Sequence, residues 1–111
     1  MSNTNYVPGR VSVVVPTLNR AWALGACLQS IKDQTHTDVE LIIVDNFSTD
    51  GTAEVARRYT DQVYIRGPER CAQRNFGFAK ATGEHYMYID SDMELEPEVV
   101  SQCVAKTQDN P

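Results

Sequence analysis

Two carboxylates one residue apart, Asp90 and Asp92, follow directly on the apolar run Tyr86-Met87-Tyr88-Ile89. Carboxylate oxygens are the ligands that hard divalent cations prefer. On an extended strand, successive side chains point to opposite faces, so Asp90 and Asp92 are expected to project together and share one cation or its water shell. An ion held there could bridge a diphosphate. The same arrangement occurs earlier, where Leu41-Ile42-Ile43-Val44 leads into Asp45. A third apolar run, residues 11–15, leads into Pro16-Thr17-Leu18-Asn19. Three candidate strand ends therefore carry polar groups able to converge on one ligand.

The elements that must position these groups alternate in period. After a polar stretch expected to be a flexible tail, residues 1–10, the β-branched run 11–15 predicts a strand buried on both faces. Leu24, Cys27, Leu28 and Ile31 recur at helical spacing and predict a helix over 21–34, with Asn19 or Arg20 near its cap. A second strand is expected over 39–44, and a short helix over 52–59, capped by Ser48 or Asp50. Val63–Ile65 reads as a weak third strand. The stretch 69–82 reads as a helix with Ala72, Phe76 and Ala79 inward, ended by Gly83. The fourth strand is placed at 86–90, and a last helix begins at Pro97 with Val100, Cys103, Val104 and Thr107 as its stripe. This alternation predicts an α/β fold, a Rossmann-like three-layer αβα arrangement around a mostly parallel sheet. Ligands in such sheets bind at the carboxyl ends of strands, where Asn19, Asp45, Asp90 and Asp92 all fall.

Length and charge restrict the function classes. The 111 residues make one domain at most, and a net charge of −5 argues against nucleic acid or an anionic membrane as partner. No apolar run approaches the roughly 20 residues of a membrane span, and the N-terminus does not read as a signal peptide. Cys27, Cys71 and Cys103 fit neither a disulfide framework nor a zinc site and suit a reducing cytoplasm. Four cations, Arg66, Arg70, Arg74 and Lys80, precede the acidic stretch from Asp90 to Glu98. His36 and His85 stand apart from other metal-binding types and read as structural.

In sequence order, five pieces resemble the N-terminal half of family 2 glycosyltransferases with the GT-A fold. They are Val11 through Arg20, the Leu28-Gln29-Ser30-Ile31 and Gln34 stretch, Glu40 through Thr52, Arg74-Asn75-Phe76-Gly77, and Ile89-Asp90-Ser91-Asp92. The resemblance implies a nucleotide-diphosphate sugar as donor, most often a UDP-sugar, and transfer with inversion. It assigns Pro16, Thr17 and Asn19 to the base and ribose pocket, and Asp45 to a hydrogen bond with the base edge. Asp90 would face the ribose or the metal's water shell, Asp92 would bind Mn2+ or Mg2+, and Arg74 would bond to the nucleotide or its phosphates. Blander roles stand beside these: Asp45 capping its own turn, Arg74 paired along its helix, and the acids simply ending a strand.

The resemblance also implies a catalytic carboxylate in an acceptor-binding half, well past the metal motif. Only 19 residues follow Asp92, so residues 11–111 are expected to be a donor-binding half of a truncated GT-A domain, without that base. The acceptor (saccharide, lipid or protein) is left open. Self-association through the truncated face is expected, as is a cytoplasmic location, with a peripheral position at the inner membrane face as an option for a longer form. A non-catalytic nucleotide-sugar-binding module and a receiver-like signalling domain are the alternatives. A dinucleotide dehydrogenase is set aside because the turn after the first strand contains no glycine.

Overall fold

The computed structural model describes residues 6–109. Strands β1 (Val7–Thr17), β2 (Val39–Asp45), β3 (Val63–Ile65) and β4 (Gly83–Tyr88) alternate with helices α1 (Ala21–Lys32), α2 (Thr52–Arg57), α3 (Arg70–Lys80) and α4 (Val99–Asp109). The strands form one sheet in the order β3-β2-β1-β4, and every neighbouring pair is parallel. Val13 is the central register point, opposite Leu41 on one side and Met87 on the other. The α/β expectation and the three-layer arrangement both hold.

A strand flanked on both sides and covered on both faces has no wet side, which explains the continuous run in β1. Val11, Val13 and Val15 face a core completed by Leu24, Cys27, Leu28 and Ile31 of α1, Ala56 of α2 and Val100 of α4. Val14, Ile42 and Val44 face the opposite way, against Phe76 and Phe78 of α3 and Tyr64 of β3. Burying one Leu or Ile contributes about 1.5–3 kcal/mol. The three such residues on α1 therefore outweigh anything intrinsic propensity gives a 12-residue helix.

Several element readings are corrected. β1 begins at Val7, inside the stretch expected to be a tail, because Val7 N–H donates to Thr82 O (2.7 Å) and Gly9 N–H to Glu84 Oε1 (2.8 Å). Residues 1–5 of that stretch lie outside the described residues. β4 starts and stops earlier than expected. Gly83 opens β4 instead of ending α3: a Cβ there would lie 2.6 Å from Ser12 Oγ and 2.7 Å from Arg10 O, so only glycine lets the two strands meet.

The inward face of α3 is Gln73 and Gly77 with part-buried Phe76, while Ala79 is exposed. The helix sits so close to the sheet that a Cβ on Gly77 would lie 2.5 Å from Val14 Cγ1. A search for apolar stripes passes over such a face. The start of α4 is held by Gln34, whose Oε1 accepts Val100 N–H (2.9 Å) while Nε2 donates to Glu96 O (2.7 Å).

Candidate functional site

With all strands parallel, their carboxyl ends share one rim, which carries Thr17, Asp45 and the segment after Tyr88. Chain order reverses between β1 and β4, and an open α/β sheet offers its ligand crevice at such a point. Pro16 and Thr17 are buried at the end of β1, and Asn19 is exposed beyond it. Thr17 is the register partner of Asp45. Among the described residues, Thr17 Oγ1 is the one fully buried side-chain oxygen or nitrogen without a hydrogen-bond partner. An orphaned buried hydroxyl is costly unless something on the rim satisfies it.

Asp45 is 1 % exposed and makes a local turn of its own. Its Oδ2 accepts Ser48 N–H at 2.9 Å, and its Oδ1 accepts the Ser48 hydroxyl. Ser48 Oγ in turn accepts Asn19 N–H (2.7 Å), and Asn19 Oδ1 accepts Thr49 N–H (2.8 Å). The two rim loops are thus bonded together. The same loop supplies the N-terminal cap of α1, for Asp50 Oδ2 accepts Ala21 N–H (3.1 Å) and Thr52 Oγ1 accepts Arg20 N–H (3.0 Å). The Thr52 hydroxyl above all, helped by the N–H groups of Ala21 and Thr52, outweighs desolvation and holds the Asp50 carboxyl below the ordinary aspartate range. Arg20 is the N-cap residue of α1, as its sequence position predicts, but its own side chain does not cap the helix; Asp50 does so from across the rim.

The paired acids lie in a turn instead of a strand. β4 ends at Tyr88, and Met93 N–H donates to Asp90 O (3.1 Å), so strand alternation does not govern Asp90 and Asp92. Burial separates them in another way: Ser91 is 7 % exposed, while Asp92 is exposed and Asp90 half-buried. Both acids influence the buried Cys27 thiol. Burial first, and then the charges of Asp92, Glu94 and Asp90, push its pKa up to about 11. Among the described residues no group of three or more His, Cys, Asp or Glu could hold a metal ion alone.

Arg74 is not the cation that meets the acids. Its guanidinium lies 5.0 Å from the centre of the Tyr88 ring, at the end of β4, and donates weakly to Cys71 Sγ. Arg70, at the start of α3, instead places Nη1 3.4 Å from Asp90 Oδ1. His36 bonds to Gly9 O and His85 lies beside Glu84, both away from the rim.

A profile described as Glycosyl transferase family 2 matches residues 12–111. The chain belongs to this family. It is 31% identical over 110 residues to a GalNAc(5)-diNAcBac-PP-undecaprenol beta-1,3-glucosyltransferase of Campylobacter jejuni, covering 90% of this chain and 35% of that protein. It is also 31% identical over 93 residues to a cholesterol galactosyltransferase of Borreliella burgdorferi, covering 78% and 26% respectively. Residues 1–349 of Staphylococcus aureus TarS, solved in complex with UDP, superpose with a TM-score of 0.77 at 25% identity, covering 90% of this chain and 32% of that one. A Pyrobaculum calidifontis mannosyltransferase solved with GDP-Man and Mn2+ gives 0.75 at 27% identity, covering 91% and 32%.

This family 2 chain therefore spans about a third or less of the length of the relatives it matches, and its sheet is the GT-A sheet. Three participants at the rim were not singled out for the site from sequence. From sequence Ser48 reads only as a helix cap, because its hold on Asp45 depends on the fold of a four-residue turn. Arg70 was one of four cations with nothing to rank it above Arg74. Gln73 was hidden because a glutamine in a helix ordinarily faces water.

Proposed function

We propose that this chain provides the donor-binding part of a family 2 glycosyltransferase, taking a nucleotide-diphosphate sugar, with a UDP-sugar preferred. One observation carries the reading: Pro16, Thr17, Asn19, Asp45 and the Asp90–Asp92 turn belong to the same rim of a parallel sheet, at its switch point. Asp45 would accept from the base edge while Ser48 keeps its carboxylate aimed, and the Thr17 hydroxyl would gain the partner it lacks. Arg74 and Arg70 place positive charge near the end of β4, where a diphosphate would need it.

Asp90 and Asp92 offer only hard oxygen donors, too few to saturate a cation. That composition suits Mg2+ or Mn2+, which commonly take one or two carboxylates and complete their shell with substrate phosphates and water. When bound, such an ion would offset the charge that develops on the leaving diphosphate. The chain's own contribution would be to bind and orient the nucleotide. The acceptor and the base that deprotonates it are assigned to no residue described here. β4 lies at the sheet edge with Tyr86 49 % exposed, and self-association through it is part of the proposal.

Calorimetric titration of the purified chain with UDP, GDP, TDP and CDP, with and without Mn2+, tests the reading. UDP is expected to bind most tightly, and Asp92→Ala to abolish the enhancement by Mn2+. Equal binding of all four nucleotides, or a full metal effect in the variant, would remove the claim.

A further inference from the structure

The side chain of Gln73 is the least expected feature of the rim. It lies on α3, 4 % exposed, and its Nε2 donates to two main-chain carbonyls, Thr17 O at 3.0 Å and Val44 O at 2.7 Å. Those carbonyls belong to different strands. Thr17 is the last residue of β1, and Val44 immediately precedes Asp45, the last residue of β2. Thr17 O also accepts Asn46 N–H (2.9 Å), so one carbonyl ties together α3, β1 and the β2–α2 loop. A primary amide has two N–H donors, and both are used here.

This reach depends on the close seating of α3. Gly77, one turn further along, has no Cβ to strike Val14 and Val44, so the helix backbone lies near enough to the sheet for the carboxamide to span both strands. We infer that Gln73 is a positioning residue for donor binding: its buried amide sets the spacing between the Thr17–Asn19 segment and Asp45, the two rim segments assigned to the nucleoside. The inference rests on the donor-site reading above. Gln73 touches no donor atom in this scheme and acts through the carbonyls it holds.

A purely structural role would lower stability without changing affinity in the folded protein, so the test pairs Gln73 with a control at the far end of the sheet. Gln73→Met retains length and apolar volume but lacks both donors. Ser12→Ala removes a buried hydroxyl that donates to Glu40 Oε1 (2.7 Å) and accepts Gly83 N–H (2.8 Å), remote from the rim. UDP binding in Mn2+ is measured by calorimetry at a temperature where each variant is folded, with amide exchange followed at Asn46. The expected result is at least tenfold weaker UDP binding and faster Asn46 exchange in Q73M, with S12A within twofold of wild type despite its own loss in Tm. Should Q73M fail to fold, Gln73→Asn, which retains the amide but is one methylene short, is expected to lose affinity in the same way.

Affinity within twofold of wild type in whichever Gln73 variant folds, or an equal loss in S12A, would overturn the inference alone. A wild-type chain that binds no nucleotide would remove the donor-site reading, and this inference with it.

Discussion

Phe47 occupies a backbone conformation that its side chain does not favour. Its φ is +55°, in the left-handed region, and its ring is 66 % exposed. That conformation costs a bulky L-residue roughly 1–2 kcal/mol, whereas asparagine tolerates it. Asn19, at φ +51° on the neighbouring loop, is the compatible choice for the same problem. The bonds from Asn19 to Ser48 and Thr49, together with Asn46 Nδ2 to Pro68 O, hold the loop around Phe47 in place. Phe47→Asn should therefore stabilise the chain by up to about 1 kcal/mol, since little burial is lost. In a domain near 100 residues that raises Tm by up to roughly 4 °C by scanning calorimetry. A lower Tm would mean that the ring contributes packing which its exposure does not suggest. The rim residues at the ends of apolar runs, Asn19, Asp45 and Asp90, were legible because strand ends can be read from composition. The turn chemistry of Ser48 was not, since it needs a positive-φ residue that phenylalanine does not advertise.

At the scale of elements, α3 shows how far periodicity reaches. The existence of the helix follows from its sequence, and Gly67-Pro68 marks the break before it. Its buried face does not follow. Gln73 and Gly77 are four residues apart and neither is apolar in the usual sense, so the apolar stripe finds Phe76, which does pack on the sheet, but extends it to the exposed Ala79 and passes over the two residues most deeply buried. Both departures share one cause: the helix packs by close approach, glycine against Val14, and its buried amide bonds to carbonyls at the ends of two strands. Gly77→Ala separates this reading from helix propensity. In an exposed helix the change would gain about 1 kcal/mol. Here the added methyl would sit 2.5 Å from Val14 Cγ1 and 3.3 Å from Val44 Cγ2, both on stiff β-branched residues in the sheet centre. Overpacking of this kind costs about 1–3 kcal/mol, so the variant should be less stable by chemical denaturation, by up to about 2 kcal/mol net of the propensity gain. A more stable G77A would show that α3 can withdraw from the sheet at little cost, and the reach of Gln73 would then need another explanation.

Taken as a whole, the molecule assigns its two rims opposite tasks. The carboxyl rim carries the exposed Asp92 and half-buried Asp90 and leaves the buried Thr17 hydroxyl without a hydrogen-bond partner, whereas the opposite rim satisfies its polar groups internally around Glu40. Glu40 Oε1 accepts the Ser12 hydroxyl (2.7 Å), Thr82 N–H (2.8 Å) and the Thr82 hydroxyl (3.0 Å), while Oε2 accepts Gln62 Nε2 (2.8 Å). These bonds link β1, β2 and the segments leading into β3 and β4. Burial works to raise the pKa of Glu40, but the Thr82 N–H, Gln62, Ser12 and the Thr82 hydroxyl together outweigh it, and the carboxyl is held below the ordinary glutamate range. With its folded pKa below its unfolded one, the unfolded chain binds more protons in the window between them, so stability rises with pH there. The contribution is complete above about pH 4.5 and disappears as pH falls through the depressed folded value. Glu40→Gln should be less stable than wild type at pH 7, by roughly 1–2 kcal/mol once hydrogen bonds to a charged, partly exposed group are discounted for screening. The gap should close as pH is lowered below 4.5, because protonation deprives the wild type of the same interaction. Urea midpoints for both proteins from pH 7 down to pH 3 measure this directly. Two curves that remain parallel across that range would show that the carboxylate charge does not hold the lower rim, and that the hydroxyl and amide groups around it suffice.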